Sequence, residues 1–157
     1  MPQYHHTFAV QRAKPESVPS RPVEYIDLSR VQPVSARAGY LRIAKTKHKE
    51  KSSAIFEPER LQRLSKVMGR SYDSAKMAFT DIDDKRAVPV VSVDGIEYSG
   101  FNSGGGETTM TEFLGADLPK YGLILIDEIE SSLHPRAQRR LIRDLAEIPE
   151  SANCKLF

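Results

Sequence analysis

Three patterns of hydrophobic and polar positions recur along this chain, and each predicts a different element. The first is an unbroken apolar run, Leu123-Ile124-Leu125-Ile126, opened by Gly122 and closed by Asp127 and Glu128. An aliphatic run of this kind that ends in charge predicts a strand buried on both faces of a parallel sheet. The two acids then fall at its carboxyl end, where open α/β sheets hold their ligands. As neighbours on a strand they point in opposite directions. One carboxylate is thereby free to hold a hydrated metal ion while the next polarises a water, a division suited to phosphoryl transfer. The other reading is an ordinary strand that ends in solvated acids.

The second pattern is helical. Pro58 suits a first helical residue, and Leu61, Leu64 and Met68 carry one apolar face to Gly69, a C-cap. Met110, Phe113 and Leu114 form a core stripe at i, i+3 and i+4. Beyond the acids, Pro135 suits another helix start, with Ser131 and Ser132 as candidate caps. Leu141, Leu145 and Ile148 line its inner side, and Arg136, Arg139, Arg140 and Arg143 its outer side. That arginine face is either solvated or a docking face for a partner protomer. Residues 37–51 read as one further helix, with Leu41, Ala44 and His48 on a common face.

The third pattern has the period of a strand. Residues 24–31 alternate with β-branched content, Tyr25 and Ile26 being the first apolar members, and Pro33 ends the run. Residues 90–93 and 96–98, joined by Asp94-Gly95, predict a β-hairpin whose turn needs positive φ at both central residues. Residues 1–23 carry four prolines and no sustained period, an irregular lead-in to the domain at 24–157.

The hairpin runs into Asn102-Ser103-Gly104-Gly105-Gly106-Glu107. Three glycines clear every side chain from the path of a phosphate towards backbone N–H groups, and the following helix aims its positive end at the same place. By themselves they also make a flexible turn.

Taken together, three stretches resemble a known family. Ser103-Gly104-Gly105-Gly106-Glu107 is similar to the signature motif of ABC-type ATPases. Leu123 to Glu128 resembles their Walker B strand, and Ser131-Ser132-Leu133-His134-Pro135 their D-loop. The wording from Glu130 to Gln138 is most similar to the OLD-like and related bacterial AAA-type ATPases, in the branch of the structural-maintenance-of-chromosomes and recombination ATPase heads. The resemblance covers residues 98–157. It implies an α/β P-loop NTPase fold, an ABC-ATPase-like head, with ATP and Mg²⁺ as cofactors and a second ATPase protomer as partner. Asp127 would hold the metal and Glu128 would serve as catalytic base. Ser103, Gly104 and Gly105 would contact, in trans, the nucleotide of the other protomer. Ser131, Ser132, Leu133 and His134 would form the D-loop, with His134 in structural support. Asn102 stands where many members have Leu, and Gly106-Glu107 where the best-known version has Gln.

Charge and composition refine this picture. The net charge is +2, yet residues 1–60 hold eleven Lys and Arg against six acids. The excess gathers in Arg37, Arg42, Lys45, Lys47, Lys49 and Lys51, a solvated face or a contact for nucleic-acid phosphates. The 39% hydrophobic and 28% charged fractions fit a globular chain, and the single Cys154 rules out an internal disulfide. No stretch approaches the roughly 18 apolar residues of a membrane span, so a cytoplasmic protein with no membrane partner is expected.

No Gly-x-x-x-x-Gly-Lys-Ser/Thr occurs in the 157 residues. The expectation is therefore the C-terminal half of an ATPase head, lacking the Walker A half and inactive in isolation, in DNA-related or defence-type machinery with nucleic acid or a nuclease as a further partner. The alternative from another class is a non-catalytic module that keeps the scaffold and pairs with a complete ATPase subunit.

Overall fold

The structure, a computed structural model, describes residues 22–27, 34, 37–117, 123–128, 133–152 and 155–156. In chain order the elements are β1 (Val23–Asp27), α1 (Tyr40–Lys45), β2 (Glu50–Ile55), α2 (Pro58–Met68), β3 (Ser74–Thr80), β4 (Ala87–Val93) and β5 (Ile96–Ser99). They continue with α3 (Gly105–Gly115), β6 (Leu123–Asp127), α4 (Pro135–Ala152) and β7 (Lys155–Leu156). The strands divide into a parallel sheet of order β1-β6-β7 and an antiparallel sheet of order β2-β3-β4-β5. The lead-in expected at residues 1–23 lies outside the described residues except at its last two positions, and Val23 already belongs to β1.

In the parallel sheet the aliphatic run takes the central position. β6 pairs with β1 from Val23↔Leu123 to Asp27↔Asp127, and with β7 through Leu123↔Lys155 and Ile124↔Leu156. Ile124 is fully buried and Ile126 packs against the core. The opposite face departs from the expectation of burial on both sides. Leu123 and Leu125 are only half-buried, and their neighbours Val23 and Tyr25 are 56% and 59% exposed. The reason is that α2, α3 and α4 contribute their apolar faces to the one core that contains Ile124, through Leu64, Val67, Met110, Phe113, Leu114, Leu141 and Leu145.

α2 forms as its sequence dictates: Pro58 opens it and Gly69, at φ 71°, closes it with an N–H to the Ser65 carbonyl at 2.8 Å. Leu64 and Val67 are its buried residues. The hairpin is also as expected, with Asp94 at φ 52° and Gly95 at φ 76° joining β4 to β5. Asp73 braces the turn by accepting the Gly95 N–H at 2.8 Å.

The single helix expected over residues 37–51 is not formed. Helix is confined to α1, where Ile43 is fully buried and Leu41 faces solvent, and the chain is extended again by Glu50. Pairing with β3 claims the end of this stretch, in a ladder that runs from Glu50↔Thr80 to Ile55↔Lys76. Backbone hydrogen bonds of that ladder outweigh a weak helical stripe. Among the described residues no helix is long and apolar enough to cross a membrane.

Candidate functional site

The two candidate constellations sit on different elements, the signature-like loop between β5 and α3 and the acids at the end of β6. Gly100 sets up the loop by packing tightly, since a Cβ there would meet Pro89 Cγ at 2.8 Å, and its N–H reaches the Pro89 carbonyl at 2.7 Å. The Asn102 N–H bonds to the Ser99 carbonyl at 2.8 Å, and α3 starts at Gly105 with Gly104 as its cap. Gly104 has ordinary extended geometry, φ −68° and ψ 151°, and a Cβ built on it would touch nothing. Neither backbone nor packing therefore demands glycine at this position. It leaves the uncapped end of α3 open to an approaching anion, which such helix ends favour.

Ser103 is less open than expected. Its hydroxyl lies 2.6 Å from that of Thr108, one turn into α3, and the side chain is half-buried. The pair braces the loop against the helix, so a contact between Ser103 and a ligand would share that hydroxyl. On the same first turn Thr109 Oγ1 is buried with no hydrogen-bond partner among the described residues. Replacing an unsatisfied buried hydroxyl with a methyl of the same shape removes a desolvation cost, and Thr109→Val is expected to raise stability by about 1 kcal/mol. Chemical denaturation reads this directly; an equal loss would show that the hydroxyl has a partner in solution.

The loop's main anchor is a residue that sequence reasoning did not assign. Glu107 is only 9% exposed, and its Oε1 accepts the Tyr72 hydroxyl at 2.5 Å and the Tyr98 hydroxyl at 2.9 Å. Arg70 stands 3.4 Å from the same oxygen, with its guanidinium 5.5 Å from the centre of the Tyr72 ring. Burial is the main cause that raises the Tyr72 phenol above its ordinary value, followed by its hydrogen bond to the Glu107 carboxylate and the charge on that group. Tyr98 is raised for the same reasons in the same order. A glutamate in the first turn of a helix, immediately ahead of Thr108 and Thr109, was the available signal.

At the end of β6, Asp127 is exposed and its two oxygens are already oriented. Oδ1 accepts the Glu128 N–H at 2.9 Å, and Oδ2 accepts the Tyr25 hydroxyl at 2.8 Å. Glu128 has left the strand, at φ 56°, so the rule that neighbours point to opposite faces ends at Asp127. A glutamate in the left-handed region is strained, a cost retained where the surroundings enforce it. The donor set suits a hydrated Mg²⁺, which takes one or two carboxylates and fills its octahedron with water and substrate phosphates. Among the described residues no group of three or more acids, histidines or cysteines forms an all-protein metal cage.

In the D-loop-like stretch, Ser131 and Ser132 lie outside the described residues. Leu133 is buried in the common core, and Gln138 holds its carbonyl at 2.8 Å. His134 occupies the capping position expected of a serine: its Nδ1 accepts the Arg136 N–H at 3.3 Å, and its carbonyl accepts the Ala137 and Gln138 N–H groups. Support of the α4 start is thus what its ring does. The basic stretch is not one face, because Arg37 is engaged with Glu112 at 2.6 Å and Lys51 with Asp84 at 3.3 Å, leaving Arg42, Lys45, Lys47 and Lys49 exposed.

A protein-family model described as "AAA domain, putative AbiEii toxin, Type IV TA system" matches residues 113–157. No curated protein and no solved structure matches the chain. The matched segment takes in the end of α3, β6 with its acids, the D-loop-like stretch, α4 and β7, and stops short of Ser103–Gly105. It supports an AAA-type, P-loop ATPase-like relationship and a nucleotide-binding, ATPase-type function, on a mixed α/β fold with one parallel and one antiparallel sheet.

Proposed function

We propose that this chain contributes the signature, Walker B and D-loop elements of an ABC-like, OLD-related AAA-type ATPase head that binds and hydrolyses ATP between two protomers. The observation that carries the reading is Asp127-Glu128 at the carboxyl end of a central parallel strand, within the segment similar to AAA domains. Asp127 holds Mg²⁺ through water. Glu128, turned off the strand by its positive φ, orients and deprotonates the attacking water. The open Gly104 end of α3 receives the γ-phosphate bound to the opposite protomer, with Ser103 and Gly105 beside it. The family description names a toxin of a toxin–antitoxin system, which favours defence-type machinery as the setting.

This reading places the β- and γ-phosphate cradle on a P-loop outside the 157 residues. The chain alone should then release no phosphate from Mg-ATP above background. Fused to a strand, P-loop and helix of the same family, it should turn over ATP, and Glu128→Gln should remove that turnover. Steady hydrolysis by the unfused chain that survives Glu128→Gln would place the chemistry elsewhere.

A further inference from the structure

We propose that the outer face of α4 is a docking site for the phosphate backbone of a nucleic acid. Arg136, Arg139, Arg140 and Arg143 line a cleft of about 270 Å³ on this helix. Their spacing of i, i+3, i+4 and i+7 places all four guanidinium groups on one stripe, where like charges destabilise the helix that carries them. Among the described residues none of the four forms an ion pair, and Arg140 alone lies against the carboxyl end of a helix, at Gly69 of α2. The acids of α4 that were at hand are spent on the neighbouring helix, Asp144 on Arg63 at 2.8 Å and Glu147 on Lys66 at 3.1 Å. A stripe of unneutralised arginines beside a fully paired one calls for an anion from outside.

The shape of the stripe chooses among anions. Seven residues of helix rise about 10 Å, long enough for the stripe to meet more than one phosphate of a nucleic-acid strand. Each guanidinium offers a planar fork that meets a phosphate through two hydrogen bonds. Among the described residues that line the cleft there is no aromatic or aliphatic side chain, which the centre of a protein interface would bring. The absence of a stacking platform also makes the contact one with backbone, independent of base sequence. Arg140 has a second task, because its guanidinium lies over Gly69 at the carboxyl end of α2, where helix polarity favours a cation.

The test uses the 157-residue chain, a fluorescein-labelled 20-base-pair duplex and anisotropy over a range of salt. The variant is Arg136→Gln/Arg139→Gln/Arg143→Gln, which spares Arg140 and its contact with α2; circular dichroism confirms that it remains folded. Each lost phosphate contact lowers the slope of log K against log salt by about 0.9, so the triple variant should lose about 2.7 and bind more than tenfold more weakly at 0.1 M salt. Lys45→Gln/Lys47→Gln/Lys49→Gln removes the same charge elsewhere and should leave most of the slope in place. The proposal is overturned if the wild-type chain does not bind duplex, if the α4 variant keeps its slope, or if the lysine variant loses as much. Polyglutamate competing as well as unlabelled duplex would assign the cleft to an acidic protein instead. Millimolar ATP displacing the duplex would assign it to a mononucleotide.

Discussion

Glu107→Ala should cost about 3 kcal/mol of stability, because it strips two charge-assisted hydrogen bonds at once, from the buried Tyr72 hydroxyl and the half-buried Tyr98 hydroxyl. The nearby Arg70 adds little, its side chain being about half exposed and 3.4 Å away. At this chain length the loss corresponds to a fall in Tm of about 10 °C. Glu107→Gln keeps an oxygen in place for Tyr72 and Tyr98, and about 1 kcal/mol is expected. Differential scanning fluorimetry of the two variants separates acceptor from charge. If alanine shifts Tm by no more than glutamine does, the tyrosines find other partners and Glu107 is not the anchor of the loop.

The same cluster gives the protein a sensitivity to alkali. Tyr72 has its proton affinity raised in the folded state, so folding binds the proton more tightly than the unfolded chain does. The stabilisation is then fully present below the ordinary phenol value near pH 10 and is lost as pH rises through the higher folded value. Tyr40 and Tyr98 are raised as well and act in the same direction. Denaturation midpoints should fall above about pH 10, and Tyr72→Phe should make the decline shallower.

What the sequence disclosed follows from how local each cause is. α2 was legible because Pro58, its apolar stripe and Gly69 lie within one short stretch, and the hairpin because Asp94-Gly95 alone demands the turn. β6 was legible as a strand but not in its burial, since which face the helices cover depends on the whole packing. β3 gave no signal: its inward residues are Ala75, Ala78 and Thr80, small or polar and out of strict alternation, with Lys76 and Met77 between them. It is a strand because β2 and β4 pair with it on both sides. The acids could be recognised from their place at the end of an apolar run. The hydroxyl that orients Asp127 could not, because Tyr25 is 102 residues away and meets it only through the register of parallel pairing. Glu107 was hidden for the same reason, its partner Tyr72 being 35 residues back on a connection between α2 and β3.

In a head completed with its P-loop, Glu128→Gln should lower turnover about 10²- to 10⁴-fold, the usual contribution of a positioned base, and should accumulate the ATP-bound dimer. Asp127 remains in place to hold the metal, so nucleotide enters but is not consumed. Ser103→Arg should do the reverse, abolishing ATP-driven dimerisation while one protomer still binds nucleotide, because a cation at the α3 end blocks the opposite γ-phosphate. That substitution also breaks the Ser103–Thr108 bond, and a loop deformed by its loss would imitate the effect. Gly104→Arg removes the ambiguity: its φ of −68° suits any residue and no atom of the described residues stands near its Cβ, so the fold accepts the side chain and an approaching partner meets it. Size-exclusion chromatography with ATP and Mg²⁺, beside nucleotide titration of the monomer, reads out each state. Mixing Gly104→Arg with Glu128→Gln then leaves one composite site with an open loop facing an intact base and one in which loop and base are both impaired. If Gly104→Arg weakens nucleotide binding by the monomer as much as it weakens dimerisation, the loop serves the nucleotide of its own protomer and the sandwich assignment is wrong.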